Sequence, residues 1–166
     1  GQQVTVTPLQ MAVAYGGIAM RGAIYTPHLV RQVVTPEGTI VADSRPDIAR
    51  VANLSKKTWD YLHSSLAEVT RTGTAAWAFR GFSIPAAGKT GTAQSPPGDP
   101  HAWFVGWAPA SDPEIVVAVL IEQGGGGGTA SGPVARAIME AYFGSKLAQA
   151  AQSGGQPVDE DSFPLD

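Results

Sequence analysis

No cysteine occurs among the 166 residues, which excludes disulfides and thiolate metal ligands and leaves the redox compartment open. Histidine is scarce as well: His28, His63 and His101 lie far apart without H-E-x-x-H or comparable zinc spacing, and read as structural or surface residues. No metal and no cofactor is expected. Basic charge is thin. Eleven Lys and Arg stand against 14 Asp and Glu, for a formal net charge of -3, and the scattered basic residues lack the stripe of a nucleic-acid binder. No apolar run approaches the roughly 20 residues that span a bilayer. Neither a signal peptide nor an internal repeat is found. An initiator methionine is missing too: Gly1-Gln2-Gln3-Val4 leads directly into a predicted helix, as in a fragment of something longer.

What is present suffices for one packed domain, with 43% hydrophobic residues over a length that can bury a core. Thr7 caps a first helix and Pro8 takes its first position, where a missing N–H costs nothing; the helix runs to about Ala19, with Gly16 and Gly17 permitting close packing. Alternation over Leu29 to Val34, the turn Thr35 to Gly38 and the run Thr39 to Ala42 predict a β-hairpin. Ser55 caps a second helix, whose Trp59, Leu62, Leu66 and Val69 make one core-facing stripe. Thr72 to Ala76 reads as a turn into a short helical piece around Trp77, a connector more than the flank of a site.

Ser95 to Pro100 is dense in turn formers and reads as a loop that cannot be a strand. Ala102 to Ala108 and Glu114 to Ile121 are nearly continuous apolar strands, buried on both faces and joined by a short turn, hence antiparallel neighbours. Gly124 to Gly128 resembles a flexible linker; the run lacks the lysine and hydroxyl residue of a phosphate loop. Pro133 opens a last helix on which Val134, Ile138 and Tyr142 share a face, with Gly144 as its stop. The domain is therefore read as 1–144, followed by a tail, 145–166, disordered towards its end.

The chemistry concentrates between Ile84 and Gln94. Small residues there surround one lysine and two threonines, and the stretch reads as a strand beside the first of the two apolar ones. Pleating puts Thr90 and Thr92 on one face and sends Lys89 to the other, toward whatever packs behind. Two hydroxyls and an ammonium suit a carboxylate. On an edge strand, unpaired N–H groups would also polarise a carbonyl. A bare Lys-Thr-Gly is weak by itself, since a solvated strand lysine looks the same.

Three stretches in one order carry more. Gly1-Gln2-Gln3 with Thr7-Pro8-Leu9-Gln10, Ala87-Gly88-Lys89-Thr90-Gly91-Thr92-Ala93, and Ala102-Trp103-Phe104-Val105-Gly106-Trp107-Ala108-Pro109 together resemble the C-terminal half of the transpeptidase domain of class B penicillin-binding proteins. The resemblance is nearest to the elongation-type penicillin-binding protein 2 and runs from Gly1 to about Gly144; Gln3 stands where the family usually has glycine. It implies an α/β fold of the α+β type, an antiparallel sheet sandwiched by helices as in serine beta-lactamases. It also implies a serine acyltransferase that cross-links peptidoglycan stem peptides and is acylated by beta-lactams. Lys89 is then the K-T-G lysine, which hydrogen-bonds the serine of an S-x-N motif. Thr90 and Thr92 bind the substrate carboxylate, Gly91 keeps that face open, and the Thr92 N–H supplies half of an oxyanion hole.

The companion motifs are absent. Three residues before Lys56, Lys57, Lys89 and Lys146 stand Asn53, Leu54, Ala86 and Phe143, so no S-x-x-K exists; Asn53, the only asparagine, follows Val51 by two, so no S-x-N exists either. The resemblance therefore implies a partner, the N-terminal part of the same domain carrying both motifs, and an isolated chain that is inactive. Stem peptides, beta-lactams and a membrane glycan polymerase are the other implied partners. The implied location is the bacterial envelope, on the extracytoplasmic face of the inner membrane, with an anchor outside this chain. A class D-like beta-lactamase, a beta-lactam sensor and a non-catalytic binding module are the alternatives.

Overall fold

The structure, a computed structural model, describes residues 4–152; Gly1 to Gln3 and the tail beyond Gln152 lie outside them. Helix α1 spans Pro8–Ala19 and is fixed at its start by reciprocal bonds. The Gln10 N–H donates to Thr7 Oγ1 at 3.2 Å, while the Thr7 N–H donates to Gln10 Oε1 at 2.9 Å. Gly17 sets how near the next strand runs, since a Cβ there would lie 2.7 Å from Ile24 Cγ1.

That strand, β1 (Ala23–Tyr25), pairs antiparallel with β4 (Ile48–Val51). Between them β2 (Gln32–Val34) and β3 (Ile40–Asp43) form the expected hairpin, although its first strand starts at Gln32 and every residue of the two strands is exposed. Helix α2 (Lys56–Arg71) follows Ser55, whose Oγ accepts the Thr58 N–H at 3.1 Å. Its stripe holds: Trp59 is buried and Leu62, Leu66 and Val69 are partly so.

The centre is a three-stranded antiparallel sheet in the order β5 (Ala87–Ser95), β6 (Gly98–Ala108), β7 (Ile115–Ile121). Pleating of the middle strand builds two cores. Phe104 faces one side and joins Ala75, Phe79, Ala135 and Met139, its ring 5.3 Å from that of Phe79. Trp107 faces the other and joins Ala19 and Ala87, with the His63 ring 5.2 Å away. Both side chains are fully buried, each worth about 2 to 3 kcal/mol against exposure. Helix α3 (Ser131–Gln152) covers the Phe104 side and α1 the Trp107 side, so the sheet is sandwiched by helices as anticipated. Helix α2 runs beside β5, where the buried Thr70 hydroxyl donates to the Ala86 carbonyl at 2.6 Å.

Several expectations need correction. Ser95 to Pro100 is not a loop: β5 runs through Ser95, β6 starts at Gly98, and only Pro96 and Pro97 turn between them. Pro100 is tolerated because β7 pairs with β6 only from Ala102 onward, so no ladder bond calls for a Pro100 N–H; its carbonyl accepts the Gly125 N–H at 2.9 Å. The Lys89 strand, β5, begins at Ala87, not Ile84. Around Trp77 the chain makes consecutive turns instead of a helix. Gly144 does not stop α3, which continues to Gln152; a mid-helix glycine costs only about 1 kcal/mol, and good helix formers stand on both sides. The α3 face that packs is Ala135, Met139 and Phe143, while Val134 and Ile138 on the anticipated face are exposed.

Candidate active site

Strand β5 pairs with β6 on one side, and among the described residues no strand lies on the other. It is an open edge. The register places Thr90 opposite Phe104 and Thr92 opposite Ala102, on the α3 face; Lys89 stands opposite Val105, on the α1 face. The expected division of the three side chains between faces is therefore observed. What packs behind Lys89 is a different matter, because its side chain is not covered. Lys89 is exposed, and its Nζ donates to the Thr90 carbonyl at 2.7 Å.

A groove of about 570 Å³ opens along this edge and brings Lys89, Thr90, Gly91 and Thr92 together on one wall. The opposite wall comes from Val4, Thr5 and Val6 and from Met11 and Tyr15 of α1. Burial pushes the Tyr15 phenol above its usual range, so it remains a neutral hydroxyl at physiological pH. Trp103 and His101 extend the floor. His101 Nδ1 accepts the Gln123 N–H at 3.0 Å, which leaves the ring proton of the neutral form on Nε2. Sequence reasoning set His101 aside as structural or surface. Counting by twos would have found it, since Val105, Trp103 and His101 face the same way as Lys89, Gly91 and Ala93.

On the α3 face of the same strand Thr92 is exposed, while Thr90 is half-buried and has a partner. Thr90 Oγ1 lies 2.7 Å from Thr74 Oγ1, a residue of the turn after α2 that had been favoured as a plain connector. Nor is the glycine run a linker. Gly127 is buried, and a Cβ on it would lie 2.2 Å from the Trp103 carbonyl oxygen and 2.5 Å from that of Gly91. A Cβ on Gly128 would sit 2.2 Å from the Thr74 carbonyl oxygen. Gly127 and Gly128 are glycine because backbone lies on backbone there. Its position is held by α3: the Ser131 hydroxyl and the Gly132 N–H each donate to the Gly127 carbonyl at 2.9 Å.

This arrangement offers an ammonium, two hydroxyls and an unpaired strand edge to one ligand, without a nucleophile next to a base. Among the described residues no group of three or more His, Asp and Glu could hold a metal ion, and no helix is long and apolar enough to cross a membrane.

The penicillin binding protein transpeptidase domain family matches residues 1–140. The peptidoglycan D,D-transpeptidase MrdA of Haemophilus influenzae is 32% identical over 168 residues, a match covering 87% of this chain and 25% of that protein. The imipenem acyl-enzyme complex of penicillin-binding protein A from M. tuberculosis superposes with a TM-score of 0.74 at 31% identity, covering 86% of this chain and 32% of that one. A chain from a peptidoglycan synthase complex that coordinates polymerization and crosslinking gives a TM-score of 0.75 at 33% identity, over 87% of this chain and 25% of that one. The chain thus spans about a quarter to a third of the length of these three proteins.

Proposed function

Because the chain belongs to the penicillin-binding protein transpeptidase family, we propose that it supplies the K-T-G wall of a peptidoglycan D,D-transpeptidase site whose nucleophile lies outside these residues. In this scheme a serine hydroxyl adds to the penultimate D-alanyl carbonyl of a stem peptide and passes its proton to a base. The C–N bond to the terminal D-alanine then breaks, and that amine leaves with a proton. An amine of a second stem attacks the acyl-serine, forms the cross-link and frees the serine.

Each residue of the wall has a task. Thr90 and Thr92 donate hydrogen bonds to the terminal D-alanine carboxylate, and Gly91 leaves room for the peptide to lie along the edge. The Thr92 N–H steadies the oxygen that becomes negative as the serine adds; one such donor is worth about 3 kcal/mol in the transition state. Lys89 keeps the groove positive and hydrogen-bonds the S-x-N serine. Beta-lactams follow the same route and stop at the acyl-serine. A site of this kind works outside the cytoplasmic membrane, beside a glycan polymerase that makes the strands to be joined.

The observation that carries this is the edge strand, with Lys89, Thr90, Gly91 and Thr92 on one groove. Fluorescent penicillin supplies the test. The whole transpeptidase becomes covalently labelled, whereas the 166-residue chain alone does not. A label on the isolated chain, or none on the whole protein, contradicts the proposal.

A further inference from the structure

We propose that Thr74 is a positioning residue for carboxylate recognition: its hydroxyl donates to Thr90 Oγ1 and so turns the Thr90 proton toward the bound carboxylate. This deepens the function proposed above and rests on Thr90 binding that carboxylate. A carboxylate only accepts hydrogen bonds, and a hydroxyl has a single proton to give. Thr90 must therefore spend its proton on the ligand. The 2.7 Å contact between Thr74 Oγ1 and Thr90 Oγ1 then has one possible direction, from Thr74 to Thr90. Two hydroxyls in series polarise each other, so the outer one donates more strongly than it would alone.

The rest of the neighbourhood holds Thr74 in place. Its carbonyl lies under Gly128, where a Cβ would come within 2.2 Å, and the adjoining Gly127 rests on the backbone of Gly91 and Trp103. The first residues of α3 grip Gly127 through the fully buried Ser131 hydroxyl and the Gly132 N–H. One short loop therefore touches both the segment that bears the donor and the strand that bears the acceptor. The spacing of the two hydroxyls is set by packed backbone.

The experiment measures acylation of the whole transpeptidase by benzylpenicillin and by its methyl ester, separating the binding constant from the acylation rate constant. Thr74→Val keeps the shape and removes the hydroxyl, and is expected to weaken binding of the free acid about tenfold, because a Thr90 hydroxyl without its donor is neither aimed nor polarised. The ester and the acylation rate constant should stay near wild type. Thr74→Ser should restore the acid, which a space-filling role would not require. Thr90→Val is measured beside them. If Thr90→Val weakens the acid and Thr74→Val does not, the positioning role is overturned and the carboxylate site stands. If Thr90→Val leaves the acid unaffected, both fall. Equal losses for acid and ester in Thr74→Val indicate a structural role only and overturn the proposal. Should the variants not fold, a crystal structure of the wild-type acyl-enzyme decides: the two Oγ1 atoms stay within hydrogen-bond distance, or the proposal is wrong.

Discussion

The two faces of β5 are made from neighbouring residues and hold their side chains in different ways. On the α1 face Lys89 is exposed and borders a groove. On the α3 face Thr90 is bonded to Thr74, with the glycine loop packed alongside. A long ammonium chain acts through its field and tolerates freedom, whereas a hydroxyl must be aimed to be useful. The strand assigns each to the face that suits it.

Two substitutions in the whole transpeptidase would break or sharpen this contrast, and a third sets the scale from outside it. The largest effect is expected from Gly127→Ala on the α3 face. The added Cβ meets two carbonyl oxygens that belong to paired strands and cannot swing away, so unfolding should become easier by about 3 kcal/mol. Gly126→Ala is its control, because the nearest atom there is the Thr129 hydroxyl at 3.2 Å, on an exposed side chain. A Gly127→Ala protein that melts with the wild type would show that the glycine loop is not packed on the strand backbones.

Next in size is Lys89→Ala on the open face. Acylation by penicillin should slow about a hundredfold, in line with losing one electrostatic contact of the transition state, while the melting temperature hardly changes because the side chain is exposed. A large fall in melting temperature would make Lys89 a structural residue and remove the contrast.

The smallest effect concerns neither face of β5. Hydrogen bonds from Lys56 and Arg21 hold the Asp60 carboxyl below the usual aspartate range and tie the end of α1 to α2. A carboxylate with a lowered folded-state pKa stabilises the fold above its unfolded pKa, and that stability is lost as pH falls through the folded value. Melting curves for Asp60→Asn should therefore lie slightly below wild type at neutral pH and merge with it in acid. A gap that persists at low pH would mean the asparagine harms the fold by another route.

Where local signals were strong, the sequence anticipated the fold. Thr7-Pro8 with Gln10 marked the start of α1, the Trp59 stripe marked α2, and the apolar runs after Ala102 marked two paired strands. The alternation of Lys89 against Thr90 and Thr92 was legible from pleating alone. What escaped notice depends on contacts distant in sequence. The β1 and β4 strands are three and four residues long and find each other across an intervening hairpin, so neither carries a pattern of its own. The glycine run is indistinguishable from a linker until its neighbours Thr74, Gly91 and Trp103 are known. Thr74 shared that fate, since nothing in a Thr-Gly-Thr turn names the strand it will meet.

The capping of α1 has a consequence for recognition. Val4, Thr5 and Val6 form the far wall of the groove, and three exposed residues with no ladder to hold them would drift. The reciprocal Thr7 and Gln10 bonds moor that short stretch to a twelve-residue rod immediately downstream. An incoming peptide thus meets a channel whose width is set by a helix end on one bank and a sheet margin on the other, with little left to organise on arrival.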